Sequence, residues 1–210
     1  MRAVGTPWTF HADDGGWVVA IAPTERAVLL DVVDEVIELL GGAESAAEQG
    51  VRAARHPLDA LTLDALPVAP PQDRALLRLL PDASADAEVA SEFRRLTEAD
   101  LRATKTGNLA RLRAALADAR TEVVVVPSEG PRVAAALTDL RLVISERLGV
   151  RTDEDAEDVY RLAAEVGPAE PSPRHLLAAV YAVLTQLQES LVELMVRDLP
   201  AASRGDRDAD

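Results

Sequence analysis

Apolar residues recur every three or four positions in several segments of this 210-residue chain. This spacing places them on one face of an α-helix, and such a face must be covered by another element. The clearest stripes are Leu29, Val33, Val36 and Leu40; Val133, Leu137, Leu140, Ile144 and Leu148; and Leu177, Val180, Leu184, Leu187, Leu191 and Leu194. We therefore predict a mainly α protein built as a bundle of about six helices.

Two other segments have sequence patterns that are typical of β-strands. Around Asp13-Asp14-Gly15-Gly16, apolar residues lie at period two, from Trp8 to Ile21, which predicts a hairpin with one buried face. Residues 121 to 126 contain four consecutive valines, a composition typical of a buried strand. We expect this strand to join the hairpin in a small antiparallel sheet, so the fold class is α+β.

The chain is predicted to form one domain over residues 1 to 198. Residues 41 to 72 lose the helical period and contain four prolines, so we expect an irregular excursion there. Residues 199 to 210 are polar and are expected to be a disordered tail. No apolar run approaches the roughly 20 residues needed to cross a bilayer, and the first residues lack the apolar core of a signal peptide. These features predict a cytoplasmic protein without membrane contact.

Composition excludes several classes of function. The chain has no cysteine, which excludes disulfides, thiolate metal sites and cysteine nucleophiles. It has 36 acidic and 22 basic side chains, and the formal charge of −14 argues against wrapping of nucleic acid or of an anionic membrane.

Sequence motifs for common enzyme classes are also absent. We find no dinucleotide-binding GxGxxG, no P-loop, no GxSxG elbow and no HExxH. The three histidines, His11, His56 and His175, lack metal-ligand spacing along one helix. We predict no catalytic residue, no cofactor and no metal, and an unrecognised enzyme or small-ligand protein remains one alternative.

The charge is unevenly distributed along the chain. Residues 86 to 120 carry a net charge of +1, whereas both flanks are strongly acidic. Thr97 and Asp100 have the spacing of a capping box, which would begin a new helix at this point. Two helices bent there would resemble a helix-turn-helix and bind DNA, while the other interpretation is a helical hairpin with Arg-Glu pairs. The candidate contacts for a partner protein or DNA are Arg94, Arg95, Arg102, Lys105, Arg111 and Arg113.

Four segments together resemble a known family. They are LLPDA at 79 to 83, EFRRLTEADLRATKTGNL at 92 to 109, LTDLRLVISERLGV at 137 to 150 and LTQLQESLVELM at 184 to 195. Their order and spacing are similar to those of the actinobacterial AosR-like family of oxidative-stress transcriptional regulators, formerly a domain of unknown function. The resemblance implies a cytoplasmic regulator whose partner is a stress sigma factor or a Clp-related protein. Some members use a cysteine pair as a redox switch, which this chain lacks.

Polar residues interrupt two of the apolar helices within these segments. If the helices pack together, these residues are expected to pair at the seam and set its register, and the alternative is a surface that binds a partner. The candidate seam residues are Asp139, Arg141, Arg147, Gln188 and Glu189.

We therefore predict a non-enzymatic regulatory protein that acts through protein-protein contacts. The alternatives are direct DNA binding by the arginine-bearing helices over 94 to 113 and an unrecognised enzyme. Another alternative is a homodimer formed through an apolar helix face that the monomer leaves uncovered.

Overall fold

A computed structural model describes residues 7–41, 69–119, 122–165 and 172–199. Within these ranges the order of elements is β1 (His11–Asp13), β2 (Gly16–Ala20), α1 (Pro23–Leu39), α2 (Arg74–Leu79), α3 (Ala87–Asp118), β3 (Glu122–Val125), a short 3₁₀ helix (Pro127–Glu129), α4 (Gly130–Leu148), α5 (Asp153–Ala164) and α6 (Pro173–Arg197). The predicted fold class is confirmed: the described chain has six α-helices and a small sheet. Most of the expected 41 to 72 excursion and of the 199 to 210 tail lies outside the described residues.

The sheet contains the predicted hairpin and the predicted later strand, and its strand order is β1-β2-β3. β1 and β2 form an antiparallel hairpin, and β3 pairs with β2 so that Trp17 lies opposite Val125 and Val19 opposite Val123. Those four side chains are buried because alternate positions of each strand point into the core. The amide of Phe10 also donates to Oγ of Ser190 at 3.0 Å, which ties the hairpin to α6.

The sheet lies directly on the start of α4. Gly130, the first residue of α4, is in contact with the Trp17 ring, and a Cβ atom at position 130 would collide with that ring. Trp17 Nε1 also donates to the Asp198 carboxylate at 3.2 Å. Glycine at 130 is therefore required by the close approach of helix and sheet.

α4 is the central helix of the bundle and packs against α2, α3 and α6. α5 packs against α6, and α1 packs against α3. The predicted stripes of α1, α4 and α6 are buried, except that Leu177 is only half-buried. The helical period thus identified most of the core correctly, because a stripe of apolar side chains is removed from water when its helix packs.

α3 is one continuous helix of 32 residues, about 48 Å long. The predicted capping box at Thr97 is wrong, since Oγ1 of Thr97 donates to the Phe93 carbonyl one turn earlier, at 2.9 Å. A threonine inside a helix commonly makes this bond. The segment over 86 to 118 therefore contains no turn between two helices, and the helix-turn-helix expected as one alternative is absent from it.

α3 carries two apolar stripes, one on each side of Thr97. Leu96 and Leu109 are 13 positions apart in the sequence, which places them about 220° apart around one helix axis. The first stripe, containing Phe93 and Leu96, is exposed, and the second, Leu109, Leu112 and Leu116, is buried. The apolar pattern therefore moves to nearly the opposite face of one continuous helix, and in the sequence this change resembles the end of a helix.

Candidate functional site

The six predicted basic contact residues are all engaged with carboxylates. Three of them, Arg94, Arg102 and Lys105, continue the row of Leu109 and Leu112 along α3, so they lie on the side of the helix that faces the protein. The ion pairs are Arg94 with Asp82, Arg95 with Glu92, Arg102 with Glu98, Lys105 with Asp139, Arg111 with Glu129 and Arg113 with Asp34.

Two of the inward arginines attach α3 to neighbouring segments. Arg94 is a buried arginine, only 9% exposed, and its guanidinium pairs with Asp82 in the segment that follows α2. Arg102 binds the Glu98 carboxylate at 2.7 Å and donates to the carbonyl of Leu40, at the end of α1, at 2.9 Å. These bonds hold the first half of α3 in place where few apolar side chains are available to do so.

Lys105 and Asp139 form the most buried of these pairs. The Nζ of Lys105 lies 2.6 Å from Oδ1 of Asp139, whose side chain is 5% exposed. Burial raises the pKa of the Asp139 carboxyl, and the nearby lysine opposes this effect. Because a buried carboxylate must be paired, we assign Lys105 a structural role.

The remaining three pairs lie nearer to the surface. Arg95 binds Glu92 on the same helix, Arg111 bridges to Glu129, and Arg113 binds both oxygens of Asp34 in α1. The Arg95 guanidinium lowers the pKa of Glu92. A DNA phosphate that approaches any of these six cations would compete with a carboxylate that is already bound to it.

The predicted polar seam forms in part. Arg141 in α4 donates to Oε1 of Gln188 in α6 at 2.8 Å, and Nε2 of Gln188 donates to Thr138 at 2.7 Å. The Arg141 guanidinium also lies 5.4 Å from the centre of the Tyr181 ring. These two helices are therefore joined by a polar contact within an otherwise apolar interface.

The other three seam candidates do not meet there. Asp139 binds Lys105 of α3, and Arg147 binds Asp73 at the start of α2 at 2.8 Å. The hydrogen bond from Arg147 lowers the pKa of Asp73. Glu189 is exposed. Five residues chosen as one seam are thus divided among three interfaces and the surface.

One apolar surface on α3 is exposed, which we did not expect from the sequence. Val89, Phe93 and Leu96 lie on one face of the helix and are 55%, 45% and 61% exposed. We call these three residues the α3 stripe. The sequence does contain the signal, since their spacing marks one helical face, but that spacing does not distinguish a buried stripe from an exposed one.

A small cleft opens beside the α3 stripe. It is lined by Phe93, Arg94, Glu98 and Leu101 of α3 and by the segment from Leu80 to Ala83. Its volume is about 10 Å³, close to what one water molecule needs. Oε1 of Glu98 is bound by Arg102, whereas Oε2 is buried and has no hydrogen-bond partner among the described residues.

Two larger clefts lie elsewhere. One, of about 250 Å³, lies between the end of α3 and β3 and contains Arg111, Asp118 and Glu129. The other, of about 240 Å³, is mostly apolar and contains Trp8, Leu176 and Val183. The titratable groups with displaced pKa values, such as Asp139, lie outside both clefts.

The described part of the chain contains no group of three or more His, Asp and Glu residues arranged to hold a metal ion. His11 is exposed, His175 contacts Ser172 and Glu165, and His56 lies outside the described residues. Among the described helices, none combines the length and the apolar composition that a bilayer crossing requires.

Comparison with known proteins gives a family without an assigned activity. No curated protein and no solved structure matches the chain significantly. A family model does match, and it covers residues 1–195, nearly the whole described chain. The chain therefore belongs to the family described as a domain of unknown function, DUF2017.

Proposed function

We propose that this protein is a non-enzymatic regulator that acts by binding another protein through the α3 stripe. The observation that carries the proposal is the exposure of Val89, Phe93 and Leu96 side by side on one helical face. Contiguous exposed apolar side chains on a folded domain are typical of interaction sites. Covering them with a partner would remove apolar surface from water at about 25 cal/mol per Å².

The surroundings of the α3 stripe favour such a role. The Arg94-Asp82 and Arg102-Glu98 pairs, with the bond from Arg102 to the Leu40 carbonyl, hold this half of α3 against the rest of the bundle. A surface that is already ordered loses little conformational entropy when a partner binds. The engaged basic side chains also make DNA the weaker candidate partner.

The resemblance to the AosR-like family supports a more specific form of this proposal. In that form the protein is a cytoplasmic transcriptional regulator, and its partner is a stress sigma factor or a Clp-related protein. It would act without a cysteine switch, because the chain has no cysteine. Any response to oxidants would then depend on the partner.

Affinity capture with a triple variant tests the proposal. The full chain and the variant Val89→Ser/Phe93→Ser/Leu96→Ser are each used as bait in lysate of the source organism, and recovered proteins are quantified by mass spectrometry. We expect RNA polymerase subunits, a sigma factor or Clp components with the wild-type chain and their loss with the variant. Leu176→Ser, which changes another exposed leucine, is the matched control.

Equal recovery with both baits would overturn the proposal. Thermal unfolding of the variants confirms that they are folded, and we expect little change because the three side chains are already exposed. Loss of recovery with Leu176→Ser as well would also contradict it, because binding would then not be specific to the α3 stripe.

A further inference from the structure

We infer that the α3 stripe binds an amphipathic helix whose apolar face is flanked by lysine or arginine. This inference rests on the proposed function and specifies the chemistry of the partner. It is carried by the charge that surrounds the stripe and by the geometry of the stripe itself.

The apolar stripe lies in an acidic part of the surface. Residues 82 to 100 contain six acidic and two basic side chains, so this segment has a net charge of −4. Both basic residues, Arg94 and Arg95, are already paired with carboxylates. Glu88 and Asp100 are exposed and form no ion pair within the described chain. A cationic partner is therefore attracted to this surface.

The spacing of the stripe fits a helix. Val89, Phe93 and Leu96 repeat at steps of four and three, and Asp100 continues the same line one turn later. Two helices pack through such rows when ridges on one fit grooves on the other. A partner helix placed along this row would meet apolar side chains first and a carboxylate at the end, so its basic residues would face Glu88 and Asp100.

The same charges disfavour two other occupants. A second copy of the chain would place one acidic surface against another, and like charges brought together across an interface are unfavourable. An anionic lipid surface would be repelled for the same reason. Dimerisation and vesicle binding are therefore measured as competing outcomes.

Designed peptides test the inference directly. The probe is a labelled peptide of about 18 residues, roughly five helical turns, with leucine along one face and lysine elsewhere. The comparison peptides replace lysine by glutamate, or scramble the leucine and lysine positions at constant composition. Binding to the full chain is followed by fluorescence anisotropy at about 0.15 M salt, where distant charges are screened.

We expect the leucine-lysine peptide to bind at least about tenfold more tightly than either comparison peptide. The triple variant Val89→Ser/Phe93→Ser/Leu96→Ser should lose about tenfold or more in affinity, because a few central apolar residues provide most of the binding energy of an interface. Glu88→Gln/Asp100→Asn should weaken binding several-fold and reduce its salt dependence. Leu176→Ser should bind as the wild type does.

Several results would overturn the inference. Equal binding of the scrambled peptide would show that net charge alone attracts the probe. Tighter binding of the glutamate peptide would show that the partner is acidic and not basic. Concentration-dependent dimerisation that requires Phe93, or binding to anionic vesicles that requires Phe93, would identify another occupant. If lysate capture depends on the α3 stripe while the peptides show no preference, the proposed function stands and this inference fails.

Discussion

Lys105 and Asp139 form an ion pair of 2.6 Å across the interface between α3 and α4. From the sequence alone, we expect the lysine on a partner-binding surface and the aspartate in a seam with α6. Their contact joins two residues 34 positions apart, and it shows that part of the near-neutral centre of the chain stabilises the bundle internally.

Removal of Lys105 should be strongly destabilising. Lys105→Met leaves the Asp139 carboxylate buried without its partner, and we expect a loss of about 3–5 kcal/mol in the free energy of unfolding at neutral pH. The double variant Lys105→Met/Asp139→Asn should recover most of that loss because no charge is left buried. Urea denaturation measures both values.

The pH dependence of Lys105→Met gives a second measurement. Burial already raises the pKa of Asp139 above its usual value of 3.8, and loss of the lysine raises it further. The cost of the ionised carboxylate is therefore fully present above the raised pKa, decreases as the pH falls through it, and is gone near the usual value of 3.8.

Arg113→Met is the matched control for Lys105→Met and should cost about 0–1 kcal/mol, since both partners of that pair are exposed. Equal losses for the two variants would contradict the structural role of Lys105.

The continuity of α3 can be tested with proline. If Thr97 began a new helix, proline at Ala99 would lie in its first turn and be tolerated. Within a continuous helix, Ala99→Pro removes a backbone hydrogen bond and should cost about 3 kcal/mol. Ala87→Pro, at the true first residue of α3, is the control and should cost less than about 1 kcal/mol. Similar stabilities of the two variants in urea would support a break at Thr97.

Glu146 should contribute to the loss of stability in acid. The hydrogen bonds from Arg151 lower its pKa below the usual value of 4.5, and the charges of Arg78 and Arg74 add to this effect. The unfolded chain then binds the proton first, so the stabilisation is complete above pH 4.5 and is lost as the pH falls through the native pKa.

The expected result for Glu146→Gln is a shallower decline in unfolding free energy below about pH 4.5 than in the wild type. Urea unfolding at a series of pH values measures this slope. Glu189→Gln, at an exposed carboxylate, is the control and should leave the slope unchanged. If the unfolding free energy of Glu146→Gln declines with pH as steeply as that of the wild type, this carboxylate does not contribute to the acid sensitivity.

The contact between Arg141 and Gln188 should require a hydrogen-bond acceptor at position 188. Gln188→Leu removes the acceptor for Nη1 of Arg141, whose Nε already has no partner among the described residues. We expect a cost of about 1–3 kcal/mol, because a half-buried guanidinium loses a hydrogen bond. Gln188→Glu keeps an acceptor and should cost less. A thermal shift assay that ranks the two variants in the opposite order would contradict this account.

Most of the local structure follows from patterns in the sequence. Apolar spacing identified the stripes of α1, α4 and α6, because the helical period shows which residues share one buried face. The run of valines identified β3, because β-branched residues favour buried strands. The predicted start of a new helix at Thr97 is wrong for a related reason. A change of apolar face within one helix and the end of a helix give similar patterns in the sequence.

Which polar groups meet depends on how distant segments pack against each other. Arg113 binds Asp34 across 79 positions and Arg147 binds Asp73 across 74, and no local pattern encodes such partners. The tertiary structure also decided that Leu109 is buried while Phe93 on the same helix is exposed. The physical reason is that periodicity fixes which residues share a face, whereas burial and charge pairing depend on which distant element lies against that face.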